Sequence, residues 1–148
     1  MLNPSDIDII VHLRSDGRKK ATEISRELGM PVNTLYGRLE ALKRQAGIRH
    51  TALVDFHKIG YKSDVYMGFK VGTSDRDALQ EHLERHPALN SLYRVNHGFN
   101  FLAHLVFQDI DGLKFFLSEV NSRFRLQELK LFDVIDELKK ESFLSRQV

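Results

Sequence analysis

The residues with the most chemical promise lie between Gly17 and His50. Asn33, Thr34, Tyr36 and Arg38 fall on one turn-and-a-half of an expected helix, with Gly37 between the last two. Side chains of these types read nucleic acid. Arg bonds guanine through two parallel hydrogen bonds, Asn bonds adenine, and Thr touches thymine methyls or phosphate. Tyr36 and Arg38 are the expected base readers, while Asn33 and Thr34 read bases or touch phosphate. Lys19, Lys20, Arg44 and Arg49 are cations of the kind that neutralise phosphate, and a helix N-terminus beside Lys19-Lys20 adds to that attraction. Gly37 carries no side chain, so a partner's backbone can come close there.

Other chemistries find less support. The chain has no cysteine, so it holds no disulfide, thiolate metal site or cysteine nucleophile. It shows no Gly-rich phosphate loop and no carboxylate pair of defined spacing. No enzyme activity, cofactor or metal is expected. Of seven histidines, His82 and His86 stand four apart, a spacing that can bind zinc. Neither has an evident third ligand, and solvated or locally bonded histidine is the expected state. His104 is expected as a satisfied histidine at a sheet interface. No apolar run reaches the ~18–20 residues that span a bilayer, and the acidic, amphipathic start does not read as a secretory signal. A soluble cytoplasmic protein is expected, with no membrane partner.

The net charge of +2 over 148 residues hides an uneven distribution. From Gly17 to His50, eight Lys and Arg face three Glu, a net of +5. Residues 61–148 carry a net of −1, twelve basic against thirteen acidic. A local basic patch is what phosphate contacts need.

The elements that must carry these groups follow from periodicity. Ile7, Ile10, Val11 and Leu13 share a helical face, and Ser15-Asp16-Gly17 is the expected stop. A second helix fits Ala21–Leu28, ended by Gly29. A third runs from Val32 to Ala46, with Leu35, Leu39 and Leu42 inward. Two helices joined by the short turn Gly29-Met30-Pro31 make a helix-turn-helix. Such three-helix units also occur as plain packing modules. The β-branched run Ile48–Val54 is an expected strand, which would make the motif winged. Beyond it come Val65–Val71 as a strand, Asp75–His86 as a helix with Ser74 as N-cap and Asp77 completing a capping box, and Leu89–Val95 as a second strand. Asn96–Asn100 is turn chemistry. Phe101–Phe107 is a third strand, Ile110–Val120 a helix and Gln127–Ile135 a fourth strand. The fold class is α+β: an N-terminal winged helix-turn-helix, then a ferredoxin-like β-α-β-β-α-β domain. The expected division is 1–50 for the DNA-binding domain, 51–63 for the wing strand and linker, and 64–148 for the ferredoxin-like domain. In the third strand both faces are largely apolar. A two-layer domain with an apolar open face should bury it on a second copy.

Six blocks in order carry a family resemblance: Asp6-Ile7-Asp8-Ile9-Ile10; Asp16-Gly17-Arg18; Glu23-Ile24-Ser25-Arg26-Glu27-Leu28-Gly29; Arg38-Leu39-Glu40-Ala41-Leu42; Gly47-Ile48-Arg49; and Thr51-Ala52-Leu53-Val54-Asp55 followed by Ile59-Gly60-Tyr61. The chain resembles the Lrp/AsnC transcription regulators over nearly its whole length. The resemblance implies sequence-specific binding of double-stranded DNA as a homodimer, tetramer or octamer. It also implies a C-terminal RAM domain that dimerises and senses a small-molecule effector, often an amino acid. The effector position maps onto the hairpin Asn96, His97, Gly98, Phe99 and Asn100.

Two departures stand out. Where the family commonly reads Val-Thr-Gly-Asp-Tyr-Asp, this chain has Val95-Asn96-His97-Gly98-Phe99-Asn100, and both acidic positions are lost. A ligand ammonium group loses its acidic acceptors. The hairpin then binds something else or serves assembly only. At Pro31 the family often has a capping Ser or Thr, leaving Asn33 as an alternative cap. The two-part architecture is also similar to that of siroheme decarboxylases. Those carry a Phe-Pro element where this chain has Ser15-Asp16-Gly17-Arg18-Lys19-Lys20, the regulator form. A RAM-type interaction protein without DNA binding is the other alternative, against which the basic segment argues.

Overall fold

The computed structural model describes residues 2–146. The chain forms two compact units: residues up to Leu53 together with those from Leu138 onward, and Val54–Glu137.

The first unit is built on α1 (Pro4–Ser15), α2 (Ala21–Leu28) and α3 (Val32–Gln45). Helix α1 starts at a reciprocal cap. The Asn3 side chain accepts from Asp6 N–H at 2.8 Å, and Asp6 accepts from Asn3 N–H at 3.1 Å. Two of the helix's orphan donors are thereby satisfied. The three helices bury Ile9, Ile24, Leu35 and Leu42, with Ile10, Leu13, Leu28, Leu39 and Ile48 around them. The C-terminal segment docks on α1 through Arg14. Its guanidinium donates to Phe143 O at 2.7 Å, to Glu141 O at 2.9 Å and to the Glu141 carboxylate at 2.9 Å.

The expected strand Ile48–Val54 does not form among the described residues. Strand composition alone does not make a strand: the ladder needs a neighbouring strand, and no described segment pairs with this one. Residues 51–54 are exposed. The described head is a helix-turn-helix without a wing.

The second unit has β1 (Ser63–Val71), α4 (Arg76–Glu84), β2 (Leu89–Arg94), β3 (Phe101–Phe107), α5 (Ile110–Arg123) and β4 (Leu126–Asp133). Its sheet is antiparallel with order β2-β3-β1-β4, the ferredoxin-like arrangement. One sheet face packs against both helices. Val65, Met67, Phe69, Phe101, Ala103, Leu105, Leu79, Leu83, Phe116 and Val120 form this core. Helix α4 does not use Ser74 as its cap. It starts one residue later, at N-cap Asp75, whose side chain makes no cap bond and instead accepts from Arg125 N–H at 3.0 Å.

The other face is the one expected to be covered. Ser91, His104, Tyr66 and Phe132 stand in register across it, as do Tyr93, Leu102, Gly68 and Lys130. Tyr66, Tyr93 and Phe132 are 38 %, 55 % and 51 % exposed. His104 is buried among them and satisfied. Its Nε2 lies 2.5 Å from Asp64 Oδ1 and its Nδ1 2.8 Å from Asn90 Nδ2, while Tyr66 stacks on its ring. Because an amide NH₂ only donates, Nδ1 accepts and Nε2 carries the proton given to Asp64.

Candidate nucleic-acid interface

The turn between α2 and α3 sets how the third helix is presented. Gly29 adopts φ +61°, a left-handed conformation that glycine takes without steric cost. Met30 N–H then bonds Ser25 O at 2.9 Å, and the buried Ser25 hydroxyl donates back to Met30 O. Ser25 thus ties the turn from inside α2. A small hydroxyl residue one turn before Gly29 is the sequence signal for this tie.

Helix α3 starts at N-cap Pro31, whose carbonyl accepts from Leu35 N–H at 3.0 Å and which supplies no side-chain cap. Asn33 therefore lies inside the helix and is not its cap. It is exposed, as are Thr34, Tyr36, Gly37 and Arg44. A Cβ built on Gly37 would meet no atom within 4 Å. No contact within the described chain requires glycine at this position.

Two expected contacts are already engaged inside the protein. Arg38 Nη1 donates to Asp6 Oδ1 at 2.8 Å. Asp6 is held below the usual carboxylate range, first by the Asn3 backbone amide and then by Arg38, against its own burial. Arg38 is therefore a strut between α3 and α1. Lys19 Nζ donates to Glu27 Oε2 at 2.7 Å and lies 3.2 Å from Nδ1 of the buried His12. Burial lowers the His12 pKa from its ordinary value, with help from Lys19 and Arg146. Since Lys19 only donates, His12 Nδ1 accepts.

Lys20, Arg44 and Arg49 remain exposed and carry no ion pair among the described residues. Arg18 and Arg26 share that state and were not among the expected contacts. Lys20 is the N-cap residue of α2. The surface thus offers Asn33, Thr34 and Tyr36 along one helix, and cations free to meet phosphate.

In the second unit, the hairpin after β2 turns through His97 at φ +61° and Gly98 at φ +104°. Gly98, Phe99 and Asn100 line a cavity of about 400 Å³ with Lys70, Thr73, Arg76 and Gln127. Asn96 and His97 are exposed outside this lining. The Asn100 side chain is committed to the fold: its Oδ1 accepts from Val71 N–H at 2.8 Å. The Phe99 ring covers Gly68, where a Cβ would stand 2.9 Å from Phe99 Cδ1.

His82 and His86 do not converge on a metal. Arg123 donates to His82 Nδ1 at 3.1 Å, and Ala88 N–H donates to His86 Nδ1 at 3.1 Å. The described residues contain no group of three His, Cys, Asp or Glu placed to hold a metal. No described helix is long and apolar enough to cross a membrane.

The described residues thus form a helix-turn-helix head and a ferredoxin-like module whose open sheet face carries exposed aromatic rings, the fold expected from the resemblance to the Lrp/AsnC regulators. Comparison with known proteins agrees. The chain is similar to the E. coli AsnC structure (TM-score 0.83, 16 % identity, 100 % of this chain and 98 % of that one). It is similar also to a Neisseria meningitidis transcriptional regulator solved as its L-Met complex (TM-score 0.86, 17 % identity, 96 % and 95 % covered). Among curated sequences, an uncharacterized HTH-type transcriptional regulator of Pyrococcus abyssi is 23 % identical over 95 % of this chain and 97 % of its own length. One from Pyrococcus horikoshii is 26 % identical over 80 % of this chain and 75 % of its own length. No family model matches the chain. The fold expected from the Lrp/AsnC resemblance is borne out, apart from the wing strand.

Proposed function

We propose that this chain is a sequence-specific DNA-binding transcription regulator of the Lrp/AsnC type, acting as a homodimer or larger assembly in the cytoplasm. The observation that carries the reading is the exposed face of α3. Asn33, Thr34 and Tyr36 project from a helix held by a glycine turn, and unpaired cations flank it. Lys20, Arg44 and Arg49, joined by Arg18 and Arg26, contact phosphate. Arg38 positions α3 through Asp6, and Lys19 serves the α1–α2 packing. The function is binding, without catalysis. The hairpin pocket beside Phe99 and Asn100 is the effector site, and the open sheet face pairs with a second copy.

Fluorescence anisotropy with duplex DNA at several salt concentrations tests the reading. Lys20→Ala should weaken selected and random duplexes alike and reduce the salt slope by about one unit. Asn33→Ala should cost about 1–3 kcal/mol on the selected duplex only. Wild-type affinity that ignores salt would refute a phosphate-contacting surface.

A further inference from the structure

We propose that the hairpin pocket takes a small anion, a carboxylate or phosphate whose recognition needs no amino group. The proposal rests on the reading of this pocket as the effector site and specifies the ligand.

Three observations carry it. First, the charged residues lining the pocket are Lys70 and Arg76; none of the lining residues is acidic. Second, Arg76 is unpaired. Other arginines near the helix ends in this unit are held by carboxylates, Arg85 by Glu81 at 2.7 Å and Arg123 by Glu119 at 3.2 Å. Arg76 has no such partner among the described residues, and its Nε is buried with no acceptor. Third, Arg76 is the first residue of α4, at the positive end of the helix dipole, where a cation is disfavoured. An anion between Arg76 and Lys70 would pair both cations and offset the unfavourable charge at the start of α4.

The acids closest in sequence or register do not already fill this role. Asp75 accepts from Arg125 N–H, and Asp77 is exposed in the first turn of α4. Glu128 stands in register with Lys70 but forms no ion pair with it. An amino-acid ammonium group has no acidic acceptor in the lining, and the neutral Asn100 Oδ1 already accepts from Val71 N–H. A ligand carrying that group would bring a cation to two cations. The volume of about 400 Å³ suits a small ligand. Thr73 and Gln127 add neutral hydrogen-bonding groups.

The test is isothermal titration of the full chain, at constant ionic strength, with inorganic phosphate, glutarate, L-methionine and L-leucine. Phosphate or glutarate should bind, the tighter of the two identifying the anionic group, and neither amino acid should match it. Arg76→Gln should weaken the anion by about tenfold or more, and Arg76→Lys by less. Lys70→Gln gives a second variant if Arg76→Gln does not fold by circular dichroism. The proposal is overturned if neither anion binds at millimolar concentration, or if L-methionine or L-leucine binds tighter. It is also overturned if the anion binds the folded pocket variants as well as wild type. DNA binding is measured separately, so its failure would remove the regulator reading and leave the anion result standing.

Discussion

Arg38 on α3 and Asp6 on α1 are joined at 2.8 Å, and the same Asp6 closes the cap of α1. One carboxylate thus ties α3 to the first turn of α1. Arg38→Ala should lower the melting temperature of the head by a few degrees. Asp6→Ala should lower it too, and the double variant should lose less than the sum. Base preference in Arg38→Ala should persist in whatever fraction remains folded. Additive losses in a thermal-denaturation cycle would show that the pair is not coupled.

Gly37 separates stability from binding. It sits on the exposed face of a regular helix, where a Cβ meets nothing. Gly37→Ala should stabilise the protein by about 0.5–1 kcal/mol, because alanine loses less backbone entropy in a helix. The same change should weaken DNA binding if the duplex backbone approaches this point. Denaturant titration and anisotropy on one preparation read both effects. Equal or tighter DNA binding by the variant would place the duplex elsewhere.

The open sheet face should control assembly. Tyr66 and Phe132 are cross-strand partners, and both are substantially exposed. Phe132→Glu should convert a dimer into a monomer in light scattering while leaving the far-ultraviolet circular dichroism unchanged. Burying a carboxylate against the partner's aromatic rings costs desolvation that Lys130, whose ammonium lies 5.2 Å from the Phe132 ring centroid, offsets only in part. A wild-type monomer at micromolar concentration would remove the sheet-on-sheet dimer.

Stability should fall on mild acidification. Burial lowers the pKa of His12 below its ordinary 6.5, assisted by Lys19 and Arg146. Burial lowers His86 in the same way, assisted by His82 and opposed by Glu119. The unfolded chain therefore takes up these protons first. The contribution is complete above pH 6.5 and is lost as pH falls through the lower folded values. Melting temperatures measured between about pH 7.5 and about pH 5.5 should decline, and His12→Gln with His86→Gln should flatten the slope. A wild-type slope of opposite sign would contradict the lowered pKa values of His12 and His86.

Much of the fold was legible because its signals are local. Leu35 and Leu42 repeat at helical spacing and are buried, and the short apolar run Phe101–Phe107 follows turn residues and forms β3 over those residues. What was not legible depends on residues far apart. The Arg38–Asp6 pair was not legible because nothing in the neighbourhood of Arg38 predicts Asp6, 32 positions away. Ile48–Val54 has strand composition, but a strand exists only with a partner. Asp75 caps nothing because Arg125, 50 positions on, offers its amide. Lys70 and Arg76 were missed as pocket residues because one lies near the end of β1 and the other begins α4, and only the folded chain brings them to one cavity. The loss of acidic residues at Gly98 and Asn100 was visible, and the residues that line the pocket with them include Lys70 and Arg76 but no acid.

The most direct test of the central claim is selection of bound duplexes from a random library by the purified full chain. Wild type is compared with the Asn33→Ala, Thr34→Ala, Tyr36→Ala triple variant. The α3 face predicts that wild type enriches a motif with two related half-sites, and that the folded triple variant loses the motif while keeping salt-dependent, sequence-independent binding. Wild type enriching no motif, or the triple variant enriching the same one, would contradict it.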